Sequence, residues 1–368
     1  MLKRLRAKHP VGFCVLSEVL FLGSLLLASY LIVFALVLFG VDLERVDSYF
    51  LSAVQEAVGM VVALVILGRT GKMYLLRRRG SGFFNGLLVG MYPLVLIGYS
   101  LYTKLMFGMP EDGQLQPAFS IFSFFLSMAL VGVAEEFIFR GVIAQSLLER
   151  FGTGRAGVWK ACLLSGLLFG AAHLTNLLSS APFGVLMQCV FAASLGTLFA
   201  AIYFRTGNLW VTVFLHGAMD IASMLVGGLY GTEDVAESIS GYDASMMLSI
   251  LIYLIPTLFL LRKKKIGEVA LYFGRDCAPA LLFFSGSRFS GSVGSAAFCS
   301  VPTHSLRFFT QTWQAVLTSP AWHFSVQVQT MGVSAFSPSS VSAMRSASST
   351  WFRKCTVSSP SSSRSIMR

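Results

Sequence analysis

Residues 125–144 read F-L-S-M-A-L-V-G-V-A-E-E-F-I-F-R-G-V-I-A, an apolar stretch that is interrupted by Glu135, Glu136 and Arg140. An ionisable group inside a membrane helix costs about 2.5 to 3.5 kcal/mol even on the mildest scale, so such groups usually face protein or water and mark functional sites. Residues i and i+4 share one face of a helix, so we expect Glu136 and Arg140 to form an ion pair. The stretch predicts a membrane helix that carries a buried charged site.

The whole chain has the composition of a membrane protein. Of its 368 residues, 55% are hydrophobic and 12% are charged, which lies outside the range of soluble domains. Apolar runs of about 20 residues are long enough to cross a bilayer as helices. We therefore predict an all-α fold, a polytopic bundle of about eight transmembrane helices. The predicted spans cover roughly 11–40, 48–68, 83–106, 117–149, 156–178, 182–204, 208–230 and 244–261.

Charges between the predicted spans sort by sign. One side carries Lys3, Arg4, Arg6, Lys8, Arg69, Lys72, Arg77, Arg78, Arg79, Arg150, Arg155, Arg205 and residues 262–265. The other side carries Asp42, Glu44, Asp47, Glu111, Asp112, Glu233, Asp234, Glu237 and Asp243, with Arg45 and Lys104 as basic exceptions. By the positive-inside rule the N-terminus is cytoplasmic. We expect a multi-pass protein of the plasma (cell) membrane, and the net charge of +11 does not indicate nucleic acid as a partner.

The composition changes after residue 266. From residue 277 onward the sequence contains no Asp or Glu, serine is dense, and no helical or strand period is visible. We predict two regions: a membrane domain over 1–266, and a serine-rich, basic, unstructured tail over 267–368 to which no chemistry is assigned.

Two histidines and one aspartate inside later predicted spans are candidates to join this charged site. His173 lies in L-L-F-G-A-A-H-L, His216 lies in L-H-G-A-M-D, and Asp220 follows His216 by one helical turn. At 1.5 Å per residue, Glu135 and His173 reach nearly the same depth if their helices form an antiparallel hairpin. We expect these residues and His216 to meet in one polar pocket.

These motifs resemble a known family in order and spacing. E-E-F-I-F-R fits E-E-x-x-x-R, F-G-A-A-H fits F-x-x-x-H, and H-G-A-M-D fits H-x-x-x-N/D. Together they are similar to the motifs of the CPBP family of intramembrane metalloproteases, which is related to CAAX prenyl endopeptidases and bacteriocin self-immunity proteins. The resemblance covers roughly 117–225, the expected catalytic core.

The resemblance implies an intramembrane endopeptidase in which Glu135 activates water. His173, His216 and Asp220 complete the site, while Glu136 and Arg140 hold the helix geometry. Because ionised Asp220 only accepts hydrogen bonds, we expect it to orient His216 or to bind a metal. The sequence hypothesis is a zinc-like divalent metal held by Glu135, His173 and His216.

The implied substrates are membrane-bound or lipidated peptides and proteins, which reach the site from the lipid bilayer near the cytoplasmic face. Two other classes stay open. A proton- or cation-coupled transporter would use the same residues as a relay, but it should show an internal repeat, and no second copy of the motifs is visible. A non-catalytic immunity or binding scaffold would keep the fold without the reaction.

Overall fold

The computed structural model describes residues 2–231 and 235–277, and within them the fold is entirely helical. The α-helices are α1 (Leu2–Lys8), α2 (Pro10–Leu38), α3 (Ser48–Thr70), α4 (Phe83–Val89), α5 (Met91–Thr103), α6 (Ala118–Glu136), α7 (Gln145–Phe151), α8 (Arg155–Ala172), α9 (Pro182–Thr206), α10 (Leu209–Tyr230), α11 (Val235–Ser240), α12 (Leu248–Leu260) and α13 (Lys263–Cys277). The π-helical segments Lys104–Gly108 and Phe137–Ala144 extend α5 and α6.

The expected membrane bundle is confirmed. Six helical segments of the described chain are long and apolar enough to span a membrane, or eight if each of two bent helix pairs counts as one span. The predicted third span is broken near Gly90, where α4 and α5 meet at 81°. The predicted eighth span is followed by α13, and these two segments meet at 75°. The chain is a multi-pass membrane protein.

Ion pairs gather several of the predicted basic segments at one end of the bundle, here called the basic end. Glu149 on α7 pairs with Arg6 at 2.9 Å and with Lys72 at 2.7 Å. Arg205 at the end of α9 pairs with Glu268 on α13 at 2.6 Å. The N-terminal helix, the end of α3, α7, α9 and α13 therefore meet at this end, as the charge pattern predicts.

Helix α13 crosses the expected boundary at residue 266. Its apolar residues Val269 and Phe273 are fully buried, and the Phe273 ring lies 5.3 Å from the ring of Tyr203. Asp276 pairs with Arg78 at 2.6 Å. Residues 267–277 of the expected tail thus form an amphipathic helix on the basic end. The rest of that tail, 278–368, lies outside the described residues, as do Glu233 and Asp234.

Small residues let the site-bearing helices approach closely. A Cβ atom on Gly132 of α6 would lie 2.8 Å from the backbone nitrogen of Gly217 on α10. On α8, a Cβ on Gly170 would lie 2.5 Å from the carbonyl oxygen of Cys189 on α9. Such contacts between backbones are typical of membrane helix packing. Gly132 lies one turn before Glu136 and Gly217 follows His216, so the α6–α10 contact brings those two site residues together.

We predict that Gly132→Ala destabilises the protein, because the added methyl group would meet backbone atoms of α10 that have no rotamer with which to yield. Overpacking of this kind costs about 1 to 3 kcal/mol. The matched control is Gly98→Ala on α5, where a Cβ would meet no atom within 4 Å. The measurement is the thermal unfolding midpoint in detergent. Equal midpoints for the two variants would contradict the close α6–α10 contact.

Candidate functional site

The charged cluster lies where α6 changes to π-helical geometry. Glu135 and Glu136 are the last two residues of α6, and Arg140 lies in the following segment Phe137–Ala144. π-Helical turns inside longer helices occur frequently at functional sites. All of Phe137–Ala144 is buried, so Arg140 is held in the interior by the packing of its own segment.

Glu136 is the centre of the cluster. Its Oε1 atom lies 2.7 Å from Nη1 of Arg140 and 2.9 Å from Nδ1 of His216. Arg140 also donates from Nη2 to the carbonyl oxygen of Gly196 on α9 at 3.2 Å. The predicted pair of Glu136 and Arg140 is present, and it also binds α9 and α10.

The contact with Glu136 assigns the tautomer of His216. A carboxylate paired with a guanidinium accepts hydrogen bonds, so Nδ1 of His216 carries a proton and donates it to Glu136. The other ring nitrogen, Nε2, lies 3.5 Å from Oε2 of Glu135. The imidazole is therefore oriented so that Nε2 faces Glu135, the expected base.

Asp220 has a different neighbourhood from the one expected. The i,i+4 spacing predicts that Asp220 orients His216, but Nδ1 of His216 is held by Glu136 on another helix. Oδ2 of Asp220 lies 3.7 Å from Nε2 of His216, beyond hydrogen-bonding distance. The carboxyl of Asp220 therefore lies beside the working nitrogen of His216, opposite the nitrogen that Glu136 orients.

His173 joins the cluster through Phe169. Nδ1 of His173 lies 2.9 Å from the carbonyl oxygen of Phe169, and a carbonyl only accepts, so this nitrogen also carries a proton. The Phe169 ring lies 5.2 Å from the ring of His173 and 5.8 Å from that of His216, edge-on to both. One phenyl ring thus separates the two imidazoles, and both present Nε2 as the nitrogen that can exchange a proton.

All six predicted site residues lie in one closed region. Their exposed fractions run from 0% for Glu136, Arg140 and Asp220 to 3% for His173. Charges that are buried in this way interact more strongly than charges in bulk water, because the dielectric constant of a protein interior is lower.

The described residues do not fit the expected metal centre. Among them, no group of three or more His, Cys, Asp or Glu side chains is placed so that it could hold a metal ion. The expected ligands Glu135, His173 and His216 are near one another but are not arranged as a ligand set. Zinc therefore stays a prediction, and we derive no step through a metal.

Two aromatic residues contribute more to the site than the sequence indicates. The guanidinium of Arg140 lies 4.7 Å from the ring centre of Phe169 and 5.3 Å from that of Phe199. Cation–π contacts of this kind stabilise a desolvated charge by roughly 2 kcal/mol. Phe169 was visible as the first residue of F-x-x-x-H, whereas nothing in the sequence distinguishes Phe199.

Comparison with known proteins gives one match. Residues 117–222 match the family model of the Type II CAAX prenyl endopeptidase Rce1-like proteins. No curated protein and no solved structure matches the chain. The matched residues include α6, the π-helical segment and the motif residues of α8 and α10. The segment that carries the buried cluster is thus similar to the Rce1-like type II CAAX prenyl endopeptidases, as its three motifs predict.

Proposed function

We propose that this chain is an intramembrane endopeptidase that hydrolyses membrane-bound or lipidated peptides near the cytoplasmic face. The observation that supports this most is the buried pair of Glu135 and His216, whose Nε2 and Oε2 atoms lie 3.5 Å apart. A carboxylate and an oriented imidazole at this separation can act on one water molecule and one carbonyl group. The Rce1-like match supports the same reaction class.

In the proposed reaction Glu135 takes a proton from water, and the oxygen attacks the scissile carbonyl carbon. The negative charge that develops stays on the former carbonyl oxygen until the intermediate collapses. Nε2 of His216 and of His173 carries no proton when Nδ1 is protonated, so these nitrogens accept hydrogen bonds from the attacking water and orient it. Collapse of this intermediate breaks the C–N bond, and Glu135 returns its proton to the leaving amine. Water and one peptide bond are consumed, and a carboxyl group and an amine are formed.

Glu136 and Arg140 act as positioning residues in this proposal. Glu136 holds Nδ1 of His216, so the imidazole cannot rotate away from Glu135. Arg140 pairs with Glu136 and is itself anchored to α9 through the carbonyl oxygen of Gly196. A general base acts only on groups within hydrogen-bonding distance, so the alignment of its partners affects kcat. Glu136 and Arg140 therefore affect kcat without contacting the substrate.

We place the basic end of the bundle in the cytoplasm of a cell-membrane protein, following the positive-inside rule. Arg6, Arg205 and their ion-pair partners gather at this end. The substrate would then approach from the cytoplasmic half of the bilayer. A proton-coupled transporter would use the same carboxylate and imidazole as a relay, and a silent scaffold would keep the fold. The Rce1-like match favours a peptidase over both.

We predict that Glu135→Gln removes peptidase activity while the fold is kept. General-base catalysis contributes about 10²- to 10⁴-fold, so kcat should fall by that factor. The assay uses purified protein with a mixed library of membrane-anchored and prenylated peptides, and mass spectrometry detects the cleaved products. Glu18→Gln on α2 is the matched control, since Glu18 is also a buried carboxyl in a membrane helix. Equal cleavage by Glu135→Gln and the wild type would contradict the assigned base.

A second prediction concerns the metal. If Glu135, His173 and His216 hold a zinc-like metal, as the sequence predicts, a strong chelator should stop cleavage and added zinc should restore it. The measurement pairs elemental analysis of the purified protein with its cleavage rate before and after chelation. Unchanged cleavage after chelation, by protein that contains no stoichiometric metal, would contradict these three residues as ligands.

A further inference from the structure

Polar residues follow the facing sides of three helices in the half of the bundle opposite the basic end. On α6 they are Ser120, Ser123 and Ser127, and on α10 they are Asp220 and Ser223. On α3 they are Ser48, Ser52, Gln55 and Glu56. Within each set most neighbours are three or four residues apart, which places them on one face of their helix. Helix α6 packs against both α3 and α10.

The depths of these residues agree. A cavity of about 330 Å³ at this end of the bundle is lined by residues of all three helices, among them Ser48, Ser120 and Gly228. Counted inward at about 1.5 Å per residue, Glu56 and Asp220 each lie about 12 Å below the cavity and Ser127 about 10 Å. Glu56, Ser127 and Asp220 therefore lie in one layer, one turn from His216.

Several buried polar atoms along this path have no hydrogen-bond partner in the described part of the protein. Among the described residues, no hydrogen-bond partner contacts either carboxyl oxygen of Glu56 or of Asp220, and the same holds for Oγ of Ser123 and Nε2 of Gln55. Glu56, Ser123 and Asp220 have exposed fractions of 0%. An unsatisfied buried polar group costs about 1 to 3 kcal/mol, and native proteins usually satisfy such groups with ordered water. Six such atoms on three packed helices need a common explanation.

A hydrogen bond links the buried residues to the surface. Oγ of Ser127 donates to Oγ of Ser52 at 2.9 Å, and Ser52 is only partly buried. On the same two helices, the ring of Phe124 packs against the ring of Tyr49 with 5.2 Å between their centroids. The hydrogen bond between Ser127 and Ser52 joins the polar faces of α6 and α3.

We propose that water occupies this path, from the cavity at Ser48 and Ser120 to the carboxyl groups of Glu56 and Asp220. Glu56 is its anchor, because an unpaired carboxyl on α3 facing the other two helices keeps the layer hydrated. The path ends beside Nε2 of His216 and opens at the end of the bundle opposite the basic end. Water for hydrolysis thus has a route separate from that of the peptide, a consequence that rests on the proposed function.

X-ray radiolytic footprinting tests the path, because water beside a thiol produces hydroxyl radicals that oxidise it in place. The variants are Ser123→Cys and Ser127→Cys, and mass spectrometry measures oxidation at each cysteine. The buried native thiols of Cys14 and Cys162 are internal controls. We expect the introduced thiols to be oxidised about tenfold faster than these controls, since only they contact buried water. Equal rates would overturn the proposal.

The role of Glu56 has its own comparison. Adding Glu56→Leu to Ser127→Cys should lower oxidation of the introduced thiol to the rate of Cys14, whereas adding Glu18→Leu should leave it unchanged. If oxidation of the introduced thiol persists with Glu56→Leu, Glu56 does not hold the water in the path. Glu56→Leu alone should lower kcat and leave KM unchanged, because Glu56 lies outside the peptide site. Footprinting needs no substrate, so a hydrated path in a protein without peptidase activity would refute only the proposed function.

Discussion

The shared carboxylate of Glu136 is the interaction on which the site and the surrounding packing depend. One oxygen forms an ion pair with Arg140 and accepts a hydrogen bond from His216, and all three side chains are buried. Removing one partner of a buried ion pair costs about 3 to 5 kcal/mol, because the other charge is left uncompensated. The same contacts bind α6 to α10 and, through Arg140 and Gly196, to α9. The contacts of Glu136 therefore both stabilise the packing of these helices and align the imidazole of His216.

Buried carboxyl groups are concentrated around Glu136. Among the described residues, Glu135, Glu136, Asp220 and Glu56 all lie out of solvent. Glu135 and Glu136 contact His216, and Glu136 also pairs with Arg140, whereas no hydrogen-bond partner contacts the carboxyl oxygens of Asp220 or Glu56. Burying a carboxyl group without a hydrogen-bond partner is costly, and the proposed water path would lower that cost.

The sequence predicts the spans and the site residues because each depends on local information. Apolar runs indicate membrane helices, and an ionisable residue within one stands out whatever its partner. Contacts between residues that are distant in the sequence cannot be predicted from spacing. The i,i+4 spacing predicts that Asp220 contacts the imidazole of His216, whereas Glu136, eighty positions away, holds it. The sequence analysis does not predict helix α13, because Lys263, Lys264 and Lys265 resemble the charged end of a membrane span. The apolar residues Ile266, Val269 and Phe273 nevertheless repeat with the period of a helix. That the carboxyl group of Glu56 has no hydrogen-bond partner cannot be predicted either, because it depends on which side chains of α6 and α10 lie near it.

The tautomer of His216 is the most direct measurement of this arrangement. Solid-state ¹⁵N NMR of histidine-labelled protein in bilayers, with His216→Gln subtracted to isolate one of the five histidines, reports which ring nitrogen carries the proton. We predict a protonated Nδ1 with a strong hydrogen bond, which Glu136→Gln weakens. A bare Nδ1 with the proton on Nε2 would contradict the role of Glu136, and with it the orientation of His216 toward Glu135.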